Sequence, residues 1–157
     1  MKNSRGDQMY AGARAVPATH WASFAHEAAS VPQARHVLRN VLGGVGLDEM
    51  ASAEIEIVLS EIVGNAVRHA RPLGDGGIHV SCAVVADAAP HVEIAVTDGG
   101  APGRLVSPRT PGDAETSGRG LAIVDGLADQ WGVVEDLDNL SRTVWASFGG
   151  PTRHHPR

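Results

Sequence analysis

Glu61, Asn65 and His69 recur at four-residue intervals, and Arg68 lies seven residues after Glu61. On a helix of 3.6 residues per turn this spacing gathers them on one polar stripe. A carboxylate there can act as a base. The side-chain carbonyl oxygen of Asn65, one turn on, can ligate Mg²⁺, which takes few protein oxygens and completes its octahedron with water and phosphate oxygens. An ordinary solvated helix face has the same pattern, and spacing alone does not choose between the two.

A second cluster is Val96-Thr97-Asp98-Gly99-Gly100-Ala101-Pro102-Gly103. Strand alternation places Val92, Ile94, Val96 and Asp98 on one apolar face. A carboxylate buried there needs a donor. The amino group of an adenine would serve, with the glycines letting backbone approach a flat base. Alternatively, Asp98 opens a turn and bonds its own backbone. A third cluster, Ser117-Gly118-Arg119-Gly120-Leu121, opens a helix. Free N–H groups at a helix start form an anion site, and Arg119 could add a positive charge. The stretch between the last two clusters, Arg104–Ser117, contains Pro108, Pro111 and Gly112 and has no periodicity. A loop of that length between a base site and a phosphate site is expected to be a lid.

These residues need elements to position them. A weak strand is expected near Trp21–Phe24. Ser30 followed by Pro32 predicts an N-cap and a helix to about Leu42, ended by Gly43, Gly44 and Gly46. Asp48 caps a longer helix, about Glu49 to Ala70, whose buried face carries Ile55, Leu59, Ile62 and Ala66. Strands follow at Ile78–Val85 and Val92–Thr97. A short helix over about Gly120–Gln130 carries Leu121, Val124, Ala128 and Trp131 at helical spacing. Two last strands, Gly132–Asp136 and Arg142–Phe148, are joined by a turn at Asp138-Asn139. The pattern predicts an α+β fold, a two-layer α/β sandwich with a mixed sheet covered by helices on one face. Residues 1–13 and 149–157 read as flexible tails around one domain spanning 14–148. His154 and His155, adjacent on a proline-flanked tail, read as solvent-exposed rather than as metal ligands.

Composition narrows the function. The 157 residues include one Cys and six aromatics, with 43% hydrophobic and 20% charged, enough for a packed core. A lone Cys82 excludes an internal disulfide framework and a multi-cysteine zinc site. Residues 1–46 carry a charge balance of +3, whereas residues 47–157 carry −8. So negative a body would repel a phosphate backbone, which argues against nucleic acid as partner. With no membrane-length apolar run and no apolar leader near the N-terminus, a cytoplasmic protein without membrane association is expected.

Taken in order, the three clusters resemble the boxes of the GHKL ATPases, the superfamily of gyrase, the histidine kinases and MutL. Glu61-x-x-x-Asn65 resembles the N box, Asp98-Gly-Gly100-Ala-Pro-Gly103 the G1 box D-x-G-x-x-G, and Gly118-Arg-Gly120-Leu121 the G2 box. The resemblance covers about residues 20–148 and implies a Bergerat-type ATP-binding fold using ATP and Mg²⁺. It implies that Asn65 binds the metal, that Asp98 accepts the adenine amino group and that Gly100 and Gly103 shape the base pocket. Gly118, Gly120 and Leu121 would present N–H groups to phosphates, with Arg119, Arg68 and His69 nearby. Thr143, in Arg-Thr-Val-Trp, matches the family's late-strand threonine near the adenine, although it also fits as an ordinary strand threonine.

The runs Asn65–Ala70 and Gly120–Asp125 are similar to the small anti-sigma-factor serine/threonine kinases. For that branch the resemblance implies transfer of the ATP γ-phosphoryl to a serine or threonine of an anti-anti-sigma antagonist, with Glu61 as base, and binding of a sigma factor. A non-catalytic regulator that uses nucleotide only to control partner binding is the alternative. Members of the branch often pair as homodimers, and no self-complementary patch in the sequence marks that here.

Overall fold

The computed structural model describes residues 17–86, 89–101 and 119–149. Eight elements follow one another: β1 (Ala18–Ala25), α1 (Ser30–Leu42), α2 (Glu49–His69), β2 (Gly77–Val85), β3 (His91–Asp98), α3 (Arg119–Leu127), β4 (Gln130–Asp136) and β5 (Ser141–Phe148). The strands form one sheet in the order β1-β2-β3-β5-β4. The fold is α+β, a two-layer sandwich in which alternate sheet residues face the helices.

Every neighbouring pair in the sheet is antiparallel, so the expectation of a mixed sheet is corrected. The cause is the route of the chain after β3. It returns through α3 to β4, which runs the same way as β3 but lies two places away. β5 then turns back and fills the slot between them, so the two strands of like direction never pair.

Alternation on β2 and β3 buries Ile78, Val80, Cys82 and Val84, then Val92, Ile94 and Val96. Against them pack Leu38 and Leu42 of α1, Ile55, Val58, Leu59, Ile62 and Val63 of α2, and Val124 of α3. Each large aliphatic side chain so buried stabilises the fold by about 1.5–3 kcal/mol relative to exposure. Burial pushes the Cys82 thiol up to about 11, which keeps it protonated and makes it a core residue rather than a nucleophile. The opposite sheet face carries two tryptophans, Trp21 and Trp145, among small side chains and the larger His79, Glu93 and Val134. Trp145 lies across Gly132, where an added Cβ would fall 2.9 Å from the indole nitrogen.

The long helix begins as expected: Asp48 caps α2 by accepting the Ala51 N–H at 2.7 Å. α1 begins differently. Its cap is Ala29, without a side-chain bond, and the buried Ser30 hydroxyl donates to the Ala25 carbonyl at 2.6 Å instead. The chain turns so tightly out of β1 that this hydroxyl satisfies the strand's last carbonyl. Trp131 belongs to β4 and not to the helix before it; its Nε1–H donates to Asp125 on α3 at 2.9 Å. In the β4–β5 turn, Asp136 accepts the N–H groups of Asp138 and Asn139, and Leu140 takes a φ of 48°. No helix among the described residues is long and apolar enough to cross a membrane.

Candidate functional site

The polar stripe of α2 meets the first turn of α3. Glu61 and Asn65 are half-buried, while Arg68 and His69, in the last turn, are exposed. Gly120 rests directly on the two half-buried side chains. A Cβ at that position would lie 2.8 Å from Glu61 Oε2, 3.3 Å from Asn65 Nδ2 and 3.4 Å from Asn65 Oδ1. Glycine lets the helix start sit this close without moving the Glu61 carboxylate, and that closeness brings its free N–H groups toward a carboxylate and an amide. Arg119, the first residue of α3, is exposed, and the Leu121 side chain packs against the core.

Arg68 makes no ion pair with Glu61. Its guanidinium folds back over Gly64, whose hypothetical Cβ would lie 2.9 Å from Nη1, and Nη2 reaches Asn65 Oδ1 at 3.5 Å. Glu61 forms no ion pair with another described residue. The end of α2 is held from the residue after β1, as His26 Nε2 lies 3.0 Å from the carbonyls of both Ala66 and Ala70.

Asp98 ends β3 on the helix-facing side and is 1% exposed. Its donors come from the chain. Oδ1 accepts the Gly100 N–H at 2.8 Å, and Oδ2 accepts from Arg142 Nη2 at 3.0 Å. The turn-opening alternative is therefore realised, together with an ion pair. Gly100 adopts a φ of 77°, a left-handed conformation that glycine takes without a Cβ penalty. Gly99 is held by its neighbours: its N–H donates to the Arg71 carbonyl at 2.7 Å, and Arg71 N–H donates to the Gly100 carbonyl at 2.9 Å. A Cβ on Gly99 would fall 2.2 Å from the Pro72 carbonyl oxygen. The loop that carries Asp98 is thus clamped to the chain leaving α2, so one helix positions both ends of the site.

Thr143 is not on that face. The register pairs Asp98 with Arg142 and Thr97 with Thr143, and the two threonine hydroxyls bond at 2.7 Å on the side away from the helices. With a side-chain period of two, one step along β5 exchanges the faces. The position next to Asp98 belongs to Arg142, which motif matching passed over, as it did Gly99. Alternation could have flagged Arg142, but only with the β3–β5 register in hand. Gly103, Gly118 and the expected lid over 104–117 lie outside the described residues.

The structure therefore brings Glu61, Asn65 and Gly120 together on the C-terminal half of α2, and Asp98, Gly99, Gly100 and Arg142 together beside the chain that leaves it. A comparison with curated proteins finds no match. Among the solved structures that resemble the chain is one of the RsbU and RsbW domains of Rv1364c from Mycobacterium tuberculosis, at a TM-score of 0.62 and 22% identity, covering 88% of this chain and 35% of that one. The chain thus spans about a third of that protein's length, and the likeness is one of fold. The model of the histidine kinase-like ATPase domain matches residues 24–148, most of the sequence, and the chain belongs to that family.

Proposed function

We propose that this protein binds ATP with Mg²⁺ between α2, α3 and the end of β3, and transfers the γ-phosphoryl group to a serine or threonine of a partner protein. The single observation that carries this is the seating of Gly120 on Glu61 and Asn65. It aligns the N–H groups of a helix start, a metal-binding amide oxygen and a carboxylate base within one turn of α2. The donor set suits the ligand. Asn65 Oδ1 would hold Mg²⁺, which supplies positive charge beside the phosphates. The α3 N–H groups at Gly120 and Leu121, preceded by Gly118 and Arg119, would take phosphate oxygens. Asp98, with Gly100 and Gly103 around it, would accept the adenine amino group. Arg68 and His69 would flank the phosphate end.

Glu61 would take the proton from the acceptor hydroxyl at its carboxylate. It lies about 6 Å along the axis from Asn65 at 1.5 Å per residue, close enough to serve the hydroxyl without holding the nucleotide. Phosphoryl transfer otherwise rests on positioning and charge, which these residues supply. The RsbW domain in the fold neighbour supports a partner of the anti-sigma system, so a sigma factor and an anti-anti-sigma antagonist are the proteins to try, in the cytoplasm.

The test is incubation with labelled ATP, Mg²⁺ and candidate antagonists. Glu61→Ala should lower transfer by about 10²–10⁴-fold while ATP affinity stays nearly unchanged. Asn65→Ala should lose Mg²⁺-dependent binding and transfer together. Unchanged transfer in Glu61→Ala would remove the base role. Wild type that binds ATP but phosphorylates no partner would make this a regulator that uses nucleotide only to control binding.

A further inference from the structure

One buried side-chain nitrogen or oxygen among the described residues lacks a hydrogen-bond partner, and it is Nε of Arg142. Buried donors are nearly always paired, so an orphan beside the buried Asp98 carboxylate points to an acceptor that the described residues do not supply. The place is informative. Arg142 faces Asp98 across the β3–β5 ladder, and its Nη2 already donates to Asp98 Oδ2 at 3.0 Å. The side chain is 20% exposed, so one part of it is buried with Asp98 while another reaches the surface.

Asp98 keeps spare acceptor capacity. A carboxylate has about four lone-pair sites, of which the Gly100 N–H and Arg142 occupy two. An acceptor with room and an unpaired N–H donor therefore stand side by side. The edge of adenine offers the complement on neighbouring atoms, an amino donor at N6 and a lone-pair acceptor at N1.

We infer that Arg142 is a second base-reading residue, whose Nε–H donates to ring N1 of the adenine while Asp98 accepts the N6 amino group. This rests on the proposed nucleotide site and adds to it a residue that its sequence motifs do not contain. Arg142 thereby has two tasks, neutralising a buried carboxylate and recognising the base. Lysine could perform the first but has no Nε–H fork for the second.

The experiment compares ADP with 1-deaza-ADP, in which a C–H replaces N1, by calorimetry on the wild type and on Arg142→Lys. Losing a hydrogen bond from a charged donor should weaken 1-deaza-ADP by about tenfold or more on the wild type. Arg142→Lys, checked for folding by its melting transition, should bind ADP about as weakly as the wild type binds the deaza analogue, with no further loss when N1 is removed. Equal binding of the two nucleotides by the wild type, a comparison needing no variant, would overturn the inference and assign the Nε partner to water. A full N1 penalty that persists in Arg142→Lys would overturn it as well. Wild type that binds neither nucleotide would instead refute the nucleotide site itself, and this inference with it.

Discussion

The two ends of the site are built in different ways. At the base end the chain satisfies its own polar groups: Asp98 is buried with two donors, and Gly99 and Gly100 are stitched to Arg71 by a pair of backbone hydrogen bonds. At the phosphate end the polar groups are half-exposed and hardly paired. Glu61 has no ion pair among the described residues, and the one bond to Asn65 is a long 3.5 Å contact from Arg68. In the proposed site, a rigid base end would fix where a nucleotide sits with little ordering cost on binding. Unpaired groups at the other end would be free for the proposed metal, phosphate and incoming hydroxyl.

The contrast should break most visibly at Gly99. Alanine there would place a Cβ against the Pro72 backbone and push apart the clamp, costing about 1–3 kcal/mol of stability as overpacking does. Denaturant unfolding measures this, and an unchanged midpoint would mean that the clamp is loose. The matching glycine at the phosphate end should behave differently. In Gly120→Ala the added methyl meets the tip of a flexible glutamate, which can swing away. Stability should change by less than about 1 kcal/mol, since alanine also favours the helix. Nucleotide affinity should nevertheless fall, because Asn65 is crowded by the added methyl. A variant that binds ATP like the wild type would show the seating to be incidental.

The smallest effect lies between α1 and α2, where Arg39 of α1 donates to Glu56 of α2 through Nε at 2.9 Å and Nη2 at 2.5 Å. The Arg39 hydrogen bonds hold the Glu56 carboxyl below its ordinary range. A carboxyl depressed in the folded state adds stability above its unfolded pKa and loses it as pH falls through the folded value. Glu56→Gln should therefore melt slightly below the wild type at pH 7, with the gap closing below about pH 4. High salt should shrink the gap, since the pair is exposed on the arginine side. A gap that is independent of pH would assign it to packing.

Much of the site was legible because it depends on local periodicity. The four-residue spacing on α2 put Glu61 and Asn65 on one face, Asp48 marked where that helix starts, and alternation on β3 aimed Asp98 inward. What the sequence hid depends on pairing between distant strands. Thr143 and Arg142 are neighbours in the chain, and only the register tells which of them faces Asp98. The antiparallel sheet was equally hidden, because β5 enters between β3 and β4 from later in the sequence. Trp131 fits a helical period with Val124 and Ala128 yet is the second residue of a strand; its indole bonds back to Asp125, so it packs beside α3 in either assignment. Serine at position 30 looks like a cap by type, but the tight exit from β1 gives its hydroxyl another carbonyl.

The central claim is that Asp98 reads an adenine, and calorimetric titration with Mg²⁺–ATP and Mg²⁺–GTP tests it most directly. Guanine presents a carbonyl oxygen where adenine presents its amino group, leaving an acceptor facing an acceptor. ATP should bind at least about tenfold tighter than GTP, and Asp98→Asn should weaken ATP binding sharply while the protein remains folded. Equal affinity for ATP and GTP in the wild type would contradict the account.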